Sequence, residues 1–144
     1  MWYREPMRKS PPVARRSGCP LNASLEMIGD RWSLLIVRDM MGGASTFAEF
    51  LEGYEHIATN ILADRLRRLA RAGIVCETSH PEDGRKKIYR LTRKGIDLAP
   101  VLTEMVLWAS AHEATGNREL IHQMRDKEKF LTGVRARWRA GKTV

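Results

Sequence analysis

The clearest pattern in the chain lies between His56 and Val75, HIATNILADRLRRLARAGIV. At about 100° per residue, Leu62, Leu66 and Leu69 form one apolar stripe joined by Ala58. Asn60, Asp64, Arg67 and Arg71 fall on the opposite side, and Gly73 is placed to close the helix in a left-handed conformation. Upstream, Leu21, Leu25 and Ile28 have helical spacing. Gly29 breaks that helix, and Asp30 can cap a second one, RWSLLIVRDMM, with Trp32, Leu35, Ile36 and Met40 on its apolar face. After a Gly42-Gly43 turn, Thr46-Phe-Ala-Glu49 reads as a capping box. The short helix behind it buries Phe47, Phe50 and Leu51 and ends at Gly53. Two helices joined by a short loop, the second with a polar face, make a helix-turn-helix.

Downstream, IVCETS and KIYRLT read as strands joined by HPEDGRK, whose Pro-Glu-Asp-Gly is strong turn chemistry. Ile88 and Leu91 are expected to point inward, and Cys76 to be a buried small hydrophobe. Thr92 caps a long helix, RKGIDLAPVLTEMVLWASAHE, with Leu98, Leu102, Met105, Ala109 and His112 in helical steps. Pro100 either kinks it or marks its effective start. A final amphipathic helix, RELIHQMRDKEKFLTGVRARWR, carries Leu120, Met124, Leu131, Val134 and Trp138 on one stripe, with Gly133 weakening it. The expected fold is mainly α with a small β-hairpin wing, a winged helix-turn-helix that dimerises through its N- and C-terminal helices. Its divisions are a flexible basic arm at 1–18, the winged domain with dimerisation helices at 19–113, and a basic helix and tail at 114–144.

Charge sharpens this picture. The 144 residues carry a net charge of +8, which points toward nucleic acid or an anionic surface. Its distribution says more. Residues 1–18 carry +4 and 19–56 carry −4; 57–73 and 74–94 each carry +3; 95–116 carry −3 and 117–144 carry +5. The basic excess therefore includes the recognition-type helix and the hairpin, which acidic segments flank. No apolar run approaches the roughly 20 residues that span a bilayer, and the N-terminus lacks a secretory h-region. Two cysteines, Cys19 and Cys76, fit no disulfide framework, so a reducing cytoplasm is expected. His56, His80, His112 and His122 are scattered without ligand spacing, and no phosphate loop or nucleophile elbow occurs. Neither enzyme chemistry, nor a metal, nor a cofactor is expected, and no membrane partner.

CPLNASLEMIGDRWSLLIVRDMM resembles the opening of the HxlR-type transcriptional regulators, with its Cys-Pro start and Gly-Asp-Arg-Trp motif. TFAEFLEG and IATNILADRLRRLARAGIV are similar to their helix-turn-helix, and PEDGRKKIYRLTRKG to their wing and Leu-Thr-x-x-Gly. The match covers about residues 19–112 in the right order. The resemblance implies a MarR-like winged-helix homodimer on palindromic operator DNA, with repression the commoner mode. It also implies that Cys19, at the Cys-Pro position, is a candidate sensor of oxidants or electrophiles. Many members have Ser where this chain has Ala58, at the N-cap of the recognition helix, which loosens the helix start by about 1 kcal/mol unless Thr59 caps instead.

The chemistry of the residues fits that implication. A recognition helix presents short polar side chains at the end that enters the major groove, as Thr59, Asn60, Ala63, Asp64, Arg67 and Arg71 do. Asn60 can pair with adenine and Arg67 with guanine, and Ala63 can meet a thymine methyl. Asp64 either accepts from cytosine or orients Arg67 or Arg68 through an i+3 or i+4 pair. Four arginines, Arg65, Arg67, Arg68 and Arg71, face this one acid, so a fully self-paired surface is impossible. Arg85, Lys86 and Lys87 on the wing can reach phosphates or a minor groove. Leu21, Leu25, Leu102, Met105 and Trp108 are interface candidates, each also explicable as core. Cys19, near Arg15 and Arg16, is either a stabilised thiolate or a small residue at a helix start. The reading is a DNA-binding regulator whose partners are double-stranded DNA, a second copy of itself and a small-molecule or oxidant effector. The alternative is a winged-helix interaction module docking an acidic protein.

Overall fold

A computed structural model describes residues 13–141, so most of the expected basic arm and the last three residues lie outside the described residues. Helix α1 (Pro20–Ile28) starts behind Cys19, with Pro20 in its first turn, where a missing amide costs nothing. Asp30 then folds back: its Oδ1 accepts from the amides of Trp32 and Ser33 at 2.9 and 3.0 Å, opening α2 (Ser33–Met41). The capping box forms as the sequence requires. Thr46 Oγ1 accepts from the Glu49 amide, and Glu49 Oε2 accepts from the Thr46 amide at 3.0 Å, at the head of α3 (Phe47–Leu51).

Helix α4 (Thr59–Arg71) begins at Ala58, which offers no side-chain cap; Thr59 is already helical and supplies none. Its far end is better closed. Gly73 takes φ 72°, the Gly73 amide donates to Ala70 O, and the Ile74 amide donates to Leu69 O at 2.9 Å. This double bond pattern satisfies two otherwise free carbonyls and turns the chain sharply into the wing. Strands β1 (Val75–Ser79) and β2 (Lys87–Leu91) pair antiparallel, Val75 opposite Leu91 and Ser79 opposite Lys87.

Beyond the wing the apolar steps run across two breaks, one at the expected proline and one that the sequence did not mark. The long helix after Thr92 is two, α5 (Arg93–Ile96) and α6 (Ala99–His112). Pro100 has no amide to offer Ile96 O, so the ladder cannot run through, and the proline sits in the first turn of α6 instead. The last helix is also two, α7 (Arg118–Arg125) and α8 (Lys127–Arg139). Asp126 leaves helical geometry between them, and its Oδ1 accepts from the Lys129 amide at 3.2 Å, capping the second piece. Gly133 sits inside α8 without ending it.

One core joins these elements. Leu62, Leu66 and Leu69 of α4 are fully buried against Ile36, Val37 and Met40 of α2 and Phe50 of α3, each leucine contributing about 1.5–3 kcal/mol. Val75, Leu91, Ile96, Ala99 and Leu102 extend the core beneath the wing, and Val134 of α8 completes it. The C-terminal helix is thus docked. Trp138 Nε1 donates to Leu91 O at 2.8 Å, and the buried Arg135 reaches Asp97 Oδ1 at 2.6 Å.

Three positions differ from expectation for simple geometric reasons, and a fourth, Leu102, takes the core alternative of its two readings. Ala58 is exposed, because the helical wheel does not extend to a residue outside the helix. Ile88 and Leu91, three apart on a strand, cannot share a face; Tyr89 joins Leu91 on the core side and meets Phe50 edge-on, with ring centres 6.2 Å apart. Cys76 alternates outward from buried Val75 and is exposed. Leu102 is only 6% exposed, so it belongs to the core rather than to a free face of α6.

Candidate nucleic-acid interface

The entry to α4 is held by a charged clamp. Arg38 on α2 donates from Nη1 and Nη2 to the two carboxylate oxygens of Glu55 at 2.7 and 2.8 Å, and Nη2 also reaches Asp39 at 2.8 Å. The hydrogen bonds from Arg38 hold the Glu55 carboxyl below its ordinary range against a smaller opposing effect of burial. Glu55 lies in the turn between α3 and α4, next to His56, whose φ of 52° marks the left-handed bend. The clamp therefore fixes the angle at which α4 leaves the turn.

On α4 itself the four arginines do not behave alike. Arg65 turns inward: its Nε donates to Asp30 Oδ1 at 2.9 Å, and its guanidinium also pairs with Asp64. Burial disfavours a charged Asp30, but hydrogen bonds from Ser33, Trp32 and Arg65 outweigh it and bring its carboxyl down to about 2. The Gly-Asp-Arg-Trp segment thus fastens α2 to α4 through Asp30. Arg68 stands 4.0 Å from Asp64, one turn away. Arg67 and Arg71 are exposed and, among the described residues, pair with no acid. Thr59 and Asn60 are exposed at the N-terminal end, while Ala63 and Asp64 are half-buried beside them. Asp64 engages Arg65 and Arg68 rather than Arg67, which leaves Arg67 outward.

The wing divides similarly. Arg85 is almost wholly exposed, 3.5 Å from Asp83 within its own turn, and Lys86 is exposed beside it. Lys87 is not at the tip. It lies on β2, where its Nζ donates to Glu77 Oε1 at 3.0 Å across the ladder; that bond raises its pKa.

Residues 27–117 match the family model described as HxlR-like helix-turn-helix. The chain belongs to this family. The HTH-type transcriptional regulator YodB of Bacillus subtilis is 38% identical over 92 residues, covering 63% of this chain and 82% of YodB. Among solved structures, PA1607 aligns with a TM-score of 0.64 at 38% identity over 72% of this chain and 71% of its own. The redox regulator HypR in its oxidised form aligns with a TM-score of 0.60 at 28% identity, over 67% of this chain and the whole of that one. This HxlR-family chain is accordingly a transcriptional regulator with a winged helix-turn-helix DNA-binding domain of MarR-like fold, and its relatives are regulators rather than enzymes. Helices α7 and α8 lie beyond the region the family model matches.

Elsewhere on this HxlR-family regulator, Leu21 and Leu25 on α1 are 67% and 59% exposed, and Met105 and Trp108 on α6 are 52% and 69% exposed. Val101, four residues before Met105, is exposed on the same face, a position that the helical steps of the sequence did not single out. Cys19 is an exposed free thiol at the N-cap of α1. Arg15 pairs with Glu26 at 3.2 Å, and the Arg16 amide also donates to Glu26. Asp30 was legible only as a cap, and Arg38 was not singled out; their partners lie 35 and 17 residues away, beyond any local pattern.

Proposed function

We propose that the protein is a homodimeric repressor that occupies a palindromic operator, with α4 in the major groove and the wing on phosphates or in the minor groove. The observation that carries this is the sorting of the α4 arginines: Arg65 and Arg68 are engaged by Asp64, while Arg67 and Arg71 stand exposed with no acid partner among the described residues. A face made only for solvent gains nothing by leaving two guanidinium groups unpaired beside two paired ones. In this reading Asn60 and Arg67 read base edges, Thr59 and Ala63 make close contacts at the helix start, and Arg71 meets phosphate. Asp64 positions its neighbours and contacts no base.

Dimerisation follows from the exposed apolar residues. Leu21 and Leu25 lie one turn apart on α1, and Val101, Met105 and Trp108 lie on one face of α6. Large apolar side chains in such rows mark interaction surfaces. A two-fold pairing through them sets two recognition helices about 34 Å apart, one turn of DNA. Oxidation is the favoured signal. Cys19 is exposed at the head of α1, beside Leu21 and Leu25, so its modification would alter the dimer contact and the spacing of the α4 pair. The redox regulator HypR is among the similar solved structures.

Footprinting of the purified protein on the DNA upstream of its own gene tests the reading. A protected inverted repeat is expected, and Arg67→Ala is expected to cost about 1–3 kcal/mol at one position of each half-site. Binding without sequence preference, or docking of an acidic protein by the same face in place of DNA, would overturn it. For the dimer, Met105→Glu with Trp108→Glu is expected to give a monomer by sedimentation. For the signal, diamide is expected to change operator affinity in wild type and not in Cys19→Ser.

A further inference from the structure

Helix α8 does not close flush against the wing. Between them the molecule leaves a cavity of about 260 Å³, lined by α8, both wing strands and the end of α2. We propose that this cavity binds a small aromatic carboxylate of one or two rings.

Size, lining and charge all bear on that choice. The space is a half-open cleft rather than a sealed void, and an apolar space of about 150 Å³ already accepts benzene. The space here suits two fused rings. Its lining residues include Tyr89 and Trp138, of the type that stacks on aromatic ligands, and Met40 and Met41, whose flexible side chains adapt to irregular shapes. The charged residues that line it are Arg90 and Arg137, and no acid does. Among the described residues neither guanidinium is paired with a carboxylate; Arg90 Nη1 finds only the Gly141 carbonyl, at 3.5 Å. Two such forks at the rim of an apolar space complement a carboxylate and repel a cation.

The position gives occupancy a consequence. Tyr89 and Arg90 belong to β2, and the Tyr89 amide donates to Ser45 O at 2.7 Å, just ahead of the capping box of α3. A molecule wedged between α8 and β2 therefore bears on the base of the wing and on the helix-turn-helix together. This regulatory step rests on the DNA-binding reading above, whereas binding itself does not.

Titration of the full chain with 2-naphthoate, and separately with its neutral counterpart 2-naphthol, tests the site by calorimetry and by the Trp138 indole N–H resonance, assigned by its loss in Trp138→Phe. One naphthoate per chain is expected, bound about tenfold more tightly than the naphthol, with the Trp138 signal shifting in step. Arg90→Gln with Arg137→Gln, both exposed and tolerant positions, is expected to erase that tenfold preference. Cys76→Phe, filling the space from an exposed strand position, is expected to abolish binding of both. Three results would each overturn the proposal: no saturable naphthoate binding up to millimolar concentration, equal affinity for the two probes in wild type, or naphthoate preference unchanged in the double arginine variant. Operator affinity measured with and without naphthoate then reports the regulatory step alone; unchanged affinity despite binding would overturn that step and leave the site standing.

Discussion

Gly95 is the point where α5 touches the entry to the wing, and its replacement by alanine has a magnitude that can be worked out. A Cβ there would lie 2.2 Å from Ile74 O and 3.0 Å from Leu91 Cδ2, where ordinary contacts begin near 3.4 Å. Relief requires α5 to move away from Ile74 by about 1.2 Å, the difference between 3.4 and 2.2 Å. Thr92 is tied to the same stretch: its amide donates to Ile74 O at 3.0 Å and its hydroxyl to Gly73 O at 2.5 Å. A shift of that size stretches both bonds, at about 1 kcal/mol each. Residual crowding adds about 1–3 kcal/mol, and the better helix propensity of alanine returns about 1 kcal/mol. The net is a destabilisation of about 2–4 kcal/mol, a large share of the 5–15 kcal/mol typical of a domain. Urea unfolding followed by circular dichroism measures it, with Gly84→Ala, whose added carbon meets open space, as a control expected near wild type. A Gly95→Ala midpoint equal to the control would refute the close approach as the reason glycine stands here, and with it the physical account of the Leu-Thr-x-x-Gly motif.

Asp30 has a folded pKa of about 2, below its ordinary 3.8, so its stabilisation is fully present above about pH 4 and is lost as pH falls through 2. Urea midpoints for Asp30→Asn should be lower at neutral pH and decline less across that acid window; parallel curves would contradict the anchor. Arg135→Met leaves the carboxylate of Asp97 without its buried partner and is expected to cost about 3 kcal/mol, measured by the same unfolding assay, with an unchanged midpoint as the contrary result. At the wing, Arg85→Gln with Lys86→Gln should flatten the slope of log affinity against log salt by about 0.9 for each phosphate left unneutralised. Lys87→Gln should change it little, since Glu77 already holds that amine; fluorescence anisotropy over a salt series separates the two, and a larger effect for Lys87 would overturn the division.

What the chain determined by itself was everything carried by neighbours a few residues apart. The leucines of α4, the Thr46–Glu49 box, the Gly73 closure and the Pro-Glu-Asp-Gly turn each act within one or two turns of backbone, so their order along the chain already spells helix, turn, helix and wing. Pro100 marks the start of α6 for the same local reason, whereas at Asp126 the break leaves no change in the apolar pattern and short-range periodicity missed it. Pairings across the fold belonged to the tertiary structure alone. Asp30 meets Arg65 across 35 positions and Asp97 meets Arg135 across 38. Such pairings depend on how helices pack in space, and spacing along the sequence carries no trace of that. For this reason the sequence supplied four arginines on one helix, and only the packed molecule decided that Arg65 is a fastening while Arg67 and Arg71 stand exposed with no acid partner among the described residues. The same packing set α8 against the wing and opened the cavity between them.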